Sequence, residues 1–180
     1  YAARTARALN AQHYVVARSG IGIYRNYGAP RSGSKDCMPA MYDHVLFTDS
    51  TELWDFNRYT PDLVCINLGT NDVSNNNYDI DLLTEGYRGF LKKLRHVYPE
   101  AKLLLLSGSM LNGTPLEDVK KAMDTVVSEM KSQGDNDVYR FDMSPQTGSL
   151  GMGASYHPSM RQHQKMASEL TAYLKELMNW

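Results

Sequence analysis

Apolar positions along this chain follow two different periods, which alternate. Leu63-Val64-Cys65-Ile66-Asn67-Leu68 and Lys102-Leu103-Leu104-Leu105-Leu106 are short, nearly continuous runs, the pattern of strands covered on both faces. Between and after them, apolar residues recur every three or four positions. Ile80, Leu83, Tyr87, Phe90, Leu91, Leu94 and Val97 predict a helix that starts near Asp79 to Asp81 and is ended by Pro99. Leu116, Val119, Met123, Val126, Val127 and Met130 predict a second helix, and Met166, Leu170, Tyr173, Leu174 and Leu177 predict a last one within 160–178. Residues 137–142 read as a further strand. Nearer the start, residues 2–10 read as a short helix and residues 13–18 as a strand that runs into the turn Ser19-Gly20-Ile21-Gly22. Residues 24–61 are irregular, punctuated by Gly28, Pro30, Gly33 and Pro39. Strands alternating with helices of these lengths imply parallel pairing through right-handed crossovers. The expected class is α/β: a three-layer α/β/α sandwich on a parallel, flavodoxin-like sheet, one domain over residues 1–180.

Composition narrows the function more than the fold. With 19 basic and 20 acidic residues and a net charge of −1, the chain has no electrostatic footprint for nucleic acid or an anionic membrane. No apolar stretch approaches the roughly 20 residues that cross a bilayer. Cys37 and Cys65 are not joined by any metal-type spacing, so neither a metal nor a disulfide is expected.

In an open parallel sheet the carboxyl ends of the strands share one edge, where ligands bind. Gly69-Thr70-Asn71-Asp72 emerges there, directly after its strand, as do the turn 19–22 and the loop Gly151-Met152-Gly153-Ala154-Ser155, which delivers Tyr156 and His157 to the last helix. Gly20 and Gly22 let backbone amides approach an oxyanion, and Asn71 has a side-chain N–H to offer the same oxygen. His157, in a loop before Pro158 and Ser159, is placed to take and return a proton. The plainer alternative is that the glycines only shape a turn, that Asn71 only caps it and that His157 is an ordinary loop residue.

Gly69-Thr70-Asn71-Asp72 and His157-Pro158-Ser159, with a glycine turn after an early strand, resemble the third, fifth and second sequence blocks of the SGNH (GDSL-type) hydrolases. More narrowly, residues 17–26, Met38-Pro39-Ala40-Met41-Tyr42 and Tyr156-His157-Pro158-Ser159 resemble the catalytic domain of family-two carbohydrate esterases, and the likeness covers nearly the whole chain. It implies a serine esterase that removes acetyl groups from xylan or related glycans without a cofactor, secreted or at the cell surface of a bacterium, with an N-terminal β-sandwich as a possible companion domain. Gly22 becomes the backbone oxyanion donor, Asn71 the side-chain donor and His157 the general base. Two features depart from the pattern. The block that carries the nucleophilic serine after a first strand is absent, and Ala154 stands where an aspartate usually orients the histidine. A main-chain carbonyl near residues 154–156 is then expected to hold Nδ1, with Asp142 in reserve.

The absent block would also remove the central strand between residues 13–18 and 63–68. An N-terminal extension that supplies this strand and its serine is therefore expected. Tyr24, Trp54 and Tyr156, in loops expected around the site, offer faces for a pyranose ring, although each also fits simple packing. Two rivals stand beside the esterase: a glycan-binding module that catalyses nothing, and a nucleotide or flavin binder, disfavoured because no glycine-rich phosphate loop opens a helix.

Overall fold

The computed structural model describes residues 1–180. Its elements in chain order are α1 (Ala2–Ala8), α2 (Met38–Met41), β1 (His44–Leu46), β2 (Asp49–Leu53), β3 (Leu63–Ile66), α3 (Ile80–Val97), β4 (Lys102–Ser107), α4 (Gly113–Ser132), β5 (Val138–Asp142) and α5 (Met160–Met178). Strands β3, β4 and β5 form a parallel sheet in that order, with Ile66 opposite Leu105 and Ser107 opposite Asp142. Leu103 to Leu106 of the central strand are fully buried. Their side chains alternate between two cores, as the pleat requires. Leu103 and Leu105 face α3 and α4 through Leu83, Tyr87, Leu91, Val119 and Met123. Leu104 and Leu106 face α5 through Met166, Leu170 and Leu174, with Tyr1 and Leu9 closing the side next to α1. This is the expected α/β/α sandwich. No helix is long and apolar enough to cross a membrane.

Helix ends follow local chemistry. Asp79 caps α3 by accepting the N–H groups of Asp81 (3.1 Å) and Leu82 (3.3 Å), and Ser159 caps α5 by accepting that of Gln162 (3.1 Å). Because α3 follows β3 and precedes a parallel strand, it begins at the carboxyl edge of the sheet and ends at the amino edge.

Two expectations about elements need correction. Residues 13–18 pair with no strand, and Tyr14, Val15 and Val16 are 66%, 64% and 47% exposed. The alternation that favours a strand has no partner to ladder with. β3 pairs only with β4, so its outer edge is open and Cys65 is exposed there. No ladder joins residues 13–18 to this edge. The second correction concerns residues 24–61, where β1 and β2 form an antiparallel hairpin within the irregular segment. An aromatic cluster anchors this segment to α3: Tyr42 meets Phe90 edge-on (5.3 Å) and Phe56 meets Tyr98 likewise (5.6 Å).

Candidate active site

Two turns carry the candidate residues, and each is built differently. The first joins residues 20–25 to residues 69–74. Gly69 leaves β3 at φ +107°, and a Cβ there would lie 2.5 Å from the Tyr87 hydroxyl, which donates to the Leu68 carbonyl (2.8 Å). Only glycine fits that approach. Asn71 then donates from Nδ2 to the Ile21 carbonyl (2.8 Å), which locks its amide beside the glycine turn. Asp72 is fully buried. Its carboxylate accepts the N–H groups of Ile23 (2.9 and 3.1 Å), Tyr24 (2.8 Å) and Arg25 (2.9 Å). A Cβ on Gly22 would meet the Arg25 carbonyl oxygen at 1.9 Å and Asp72 Oδ1 at 2.7 Å, so the glycine is what allows the carboxylate so close.

Arg25 returns the embrace. Its guanidinium, also fully buried, donates to the carbonyls of Ala29 (2.8 Å), Asp72 (2.8 Å) and Ser74 (3.2 Å) and to the Ser74 hydroxyl (3.0 Å). Burial pushes the Asp72 carboxyl above its ordinary value, against the opposing pull of the three amides. The negative charge of Asp72 is a secondary cause, after burial, of the raised Tyr87 phenol and Cys37 thiol, the latter pushed up to about 11. Arg25 and its part in this network were not legible in the sequence, because no spacing links residue 25 to residue 72.

The second turn carries His157. Its Nδ1 lies 3.0 Å from the Ala154 carbonyl oxygen; a carbonyl only accepts, so Nδ1 bears the proton and Nε2 presents its lone pair. His157 is exposed. Its own carbonyl accepts the Gly153 N–H (2.7 Å) and its N–H donates to Ala154 (3.0 Å). Asp142 is engaged elsewhere, with the Ser107 hydroxyl (2.8 Å) and Arg140, so the main-chain carbonyl is the partner of the imidazole.

Contacts along the carboxyl edge connect the two turns. A Cβ on Gly108, just past β4, would lie 3.0 Å from Asn67 Oδ1 and 3.1 Å from Thr70 Oγ1. The Ser109 carbonyl accepts the Gln146 N–H (2.8 Å), and Gln146 Nε2 donates to the Tyr156 carbonyl (2.8 Å). Asn71 and His157 thus stand on adjoining loops of one edge. The Gly22 amide is there too, but it already donates to Asn26 Oδ1 (3.0 Å). The amide of Gly20, at φ +76°, has no acceptor within the protein.

The three aromatics expected around the site part company. Tyr156 is 79% exposed beside His157. The Tyr24 ring instead packs against the α3 core, and its hydroxyl accepts the Asp79 N–H (2.7 Å); burial raises its phenol. Trp54 lies at the other end of the sheet. Its N–H donates to Asp43 (2.7 Å), which pairs with Lys93 near the end of α3 (3.1 Å), and Arg58 lies over its ring (5.5 Å). Tyr27, 66% exposed, is nearer the edge, donating its N–H to the Gly20 carbonyl (2.8 Å).

Known proteins resemble this chain in sequence and in fold. The sequence profile of the GDSL-like Lipase/Acylhydrolase family matches residues 1–170. Along its full length the chain is 38% identical to the Cellulase/esterase CelE of Acetivibrio thermocellus, of which it spans 22%. It is 32% identical to an Acetylxylan esterase / glucomannan deacetylase of Cellvibrio japonicus, of which it spans 48%. A family two carbohydrate esterase from Clostridium thermocellum, solved in complex with cellohexaose, superimposes with a TM-score of 0.92 at 38% identity, over 99% of this chain and 54% of that one. The chain therefore spans about half the length of these relatives or less. It belongs to the GDSL-like lipase/acylhydrolase family.

Proposed function

We propose that this chain forms the base and oxyanion half of a carbohydrate O-acetyl esterase acting on acetylated xylan, glucomannan or a related glycan. The observation that carries the reading is His157, held at Nδ1 by the Ala154 carbonyl and left with a free Nε2 on the edge where Asn71 stands. A serine hydroxyl attacks the acetyl carbonyl while Nε2 takes its proton, and the resulting imidazolium returns that proton to the departing sugar oxygen. Water then attacks the acyl-enzyme by the same route, releasing acetate. Asn71 spends one Nδ2 hydrogen on Ile21, leaving the second for the tetrahedral oxyanion. The backbone donor comes from the glycine turn: Gly22, if Asn26 gives up its hold, or Gly20, whose amide is free.

The serine is assigned to a strand that fills the open edge of β3 and pairs with residues 13–18 on its far side. The unpaired edge and the exposed, strand-forming Tyr14-Val15-Val16 support this placement. Tyr156 and Tyr27 supply exposed ring faces for the sugar, and a polymeric substrate places the enzyme outside the cell. The names of the relatives supply the substrate class. In the full-length protein, acetate release from acetylated xylan that disappears in His157→Ala is the expected result. Glycan affinity with no acetate release from the unaltered protein would replace the esterase with a binding module.

A further inference from the structure

His157 sits on a turn that is costly in isolation. Ser155 and Tyr156 are consecutive non-glycine residues in the left-handed region, at φ +51° and +60°, where Cβ crowds the following carbonyl oxygen. The imidazole depends on this turn because the Ala154 carbonyl that opens it holds Nδ1. One side chain grips the turn from outside. Gln146 donates from Nε2 to the Tyr156 carbonyl at 2.8 Å, and its own N–H is fixed to the carbonyl of buried Ser109 at 2.8 Å. It is a strut of set length between the end of β4 and the strained turn. The same side chain leaves Oε1 buried without any hydrogen-bond partner in the protein, a penalty that an apolar side chain of equal length would avoid. A group kept at a local cost, where it secures a strained turn beside a functional imidazole, points to a role in the chemistry.

We propose that Gln146 is the positioning residue of His157. Its amide N–H pins the Tyr156 carbonyl, which holds residues 154–156 in the left-handed turn and keeps the Ala154 oxygen on Nδ1, so that Nε2 is the nitrogen that accepts the proton. The inference rests on the reading of His157 as general base.

Two substitutions in the full-length enzyme test it. Gln146→Met keeps the length of the side chain and removes both the donor and the orphaned acceptor. Turnover should fall about tenfold through misplacement of the base, with KM within about twofold and Tm unchanged or higher. The 15N spectrum of the His157 ring should move from a single Nδ1-protonated tautomer towards a mixture. Gln146→Glu sets a carboxylate against the Tyr156 carbonyl. Its activity relative to the unaltered enzyme should be lowest at neutral pH and recover as acid protonates the glutamate, which then donates to that carbonyl. Unaltered turnover and an unaltered ring spectrum in Gln146→Met would overturn the proposal, as would a lower Tm with no change in turnover. Acetate release surviving His157→Ala would instead overturn the general-base reading. The ring spectrum of Gln146→Met would still decide whether Gln146 holds the imidazole.

Discussion

The turn that carries Asn71 and the turn that carries His157 lie on the same edge of the sheet but are built on opposite principles. Around Asn71 nearly every polar group is buried and matched: Asp72 collects the amides of residues 23–25, Arg25 collects carbonyls of residues 29, 72 and 74, and glycines absorb the tight approaches. Around His157 the residues are exposed, the left-handed positions are filled by Ser155 and Tyr156 rather than glycine, and a single carbonyl holds the ring. The contrast fits two chemical tasks. An oxyanion donor stabilises charge only if it is already in place and does not reorganise as charge develops. A general base must change protonation twice per turnover and needs only its orientation fixed. On the proposed roles of Asn71 and His157, the buried turn is where stability and catalysis are coupled, and the exposed turn is where they separate.

That separation can be broken at three residues, in order of expected effect. His157→Ala should lower turnover by about 10³–10⁴-fold and leave Tm unaltered, since the ring is exposed and bonded only to its own turn; a melting shift beyond about 1 °C would deny the separation. Asp72→Ala strikes the other turn. It orphans the three buried amides that the carboxylate accepts, so unfolding free energy should drop by about 3–5 kcal/mol in denaturant titration. The loss should also depend on pH. Burial raises the Asp72 carboxyl above its ordinary 3.8 in the folded state, so the fold holds this proton more tightly than the unfolded chain does. The contribution is fullest below 3.8 and is lost as pH rises through the raised value. The stability gap between the unaltered protein and Asp72→Ala should accordingly widen as pH falls, and a gap that narrows would reverse the assigned direction.

Asn71→Ala sharpens the comparison because it tests coupling within the buried turn. Removing an oxyanion donor should cost about 10²–10³-fold in turnover, while the lost bond to Ile21 should cost about 1 kcal/mol of stability. If thermal melting accounts for the whole loss of activity, Asn71 is a brace for the turn and the oxyanion reading falls.

How much of this was legible in the sequence differs between the same two regions. Leu103 to Leu106 and the helical stripes of α3, α4 and α5 announced the sheet and its two covers, because burial on both faces leaves continuous apolar runs and burial on one face leaves a 3.6-residue period. Ala154, standing where the resembling family usually places an aspartate, pointed to a main-chain partner for His157, an expectation that came from the resemblance and not from the neighbouring residues alone. Residues 13–18 misled because strand propensity is realised only beside a partner. The β1–β2 hairpin was missed because Phe47-Thr48 at its tip carries none of the glycine or asparagine that marks a two-residue turn. Trp54 was placed by its loop alone, and loops do not reveal which end of a sheet they serve. The pairing of Arg25 with the turn at Asp72 crosses 47 positions without any period, and only the folded chain brings the two together.

The smallest effect tests which side of the comparison Tyr24 belongs to. Its ring packs with the α3 core, and its hydroxyl caps the approach to α3 by accepting the Asp79 N–H, so it belongs with the buried brace and not with the sugar. Tyr24→Phe removes only that acceptor. The Asp79 N–H is half-buried and close to water, so the expected loss is about 1 kcal/mol of stability, read as a modest shift in the denaturation midpoint with an unaltered slope. KM for acetylated glycan should remain within about twofold, because the ring packs against the α3 core and the substitution keeps the ring. A severalfold rise in KM with an unchanged midpoint would move Tyr24 from the brace to the sugar site. It would also show that the buried turn takes part in binding the sugar, contrary to the division of labour drawn from the two turns.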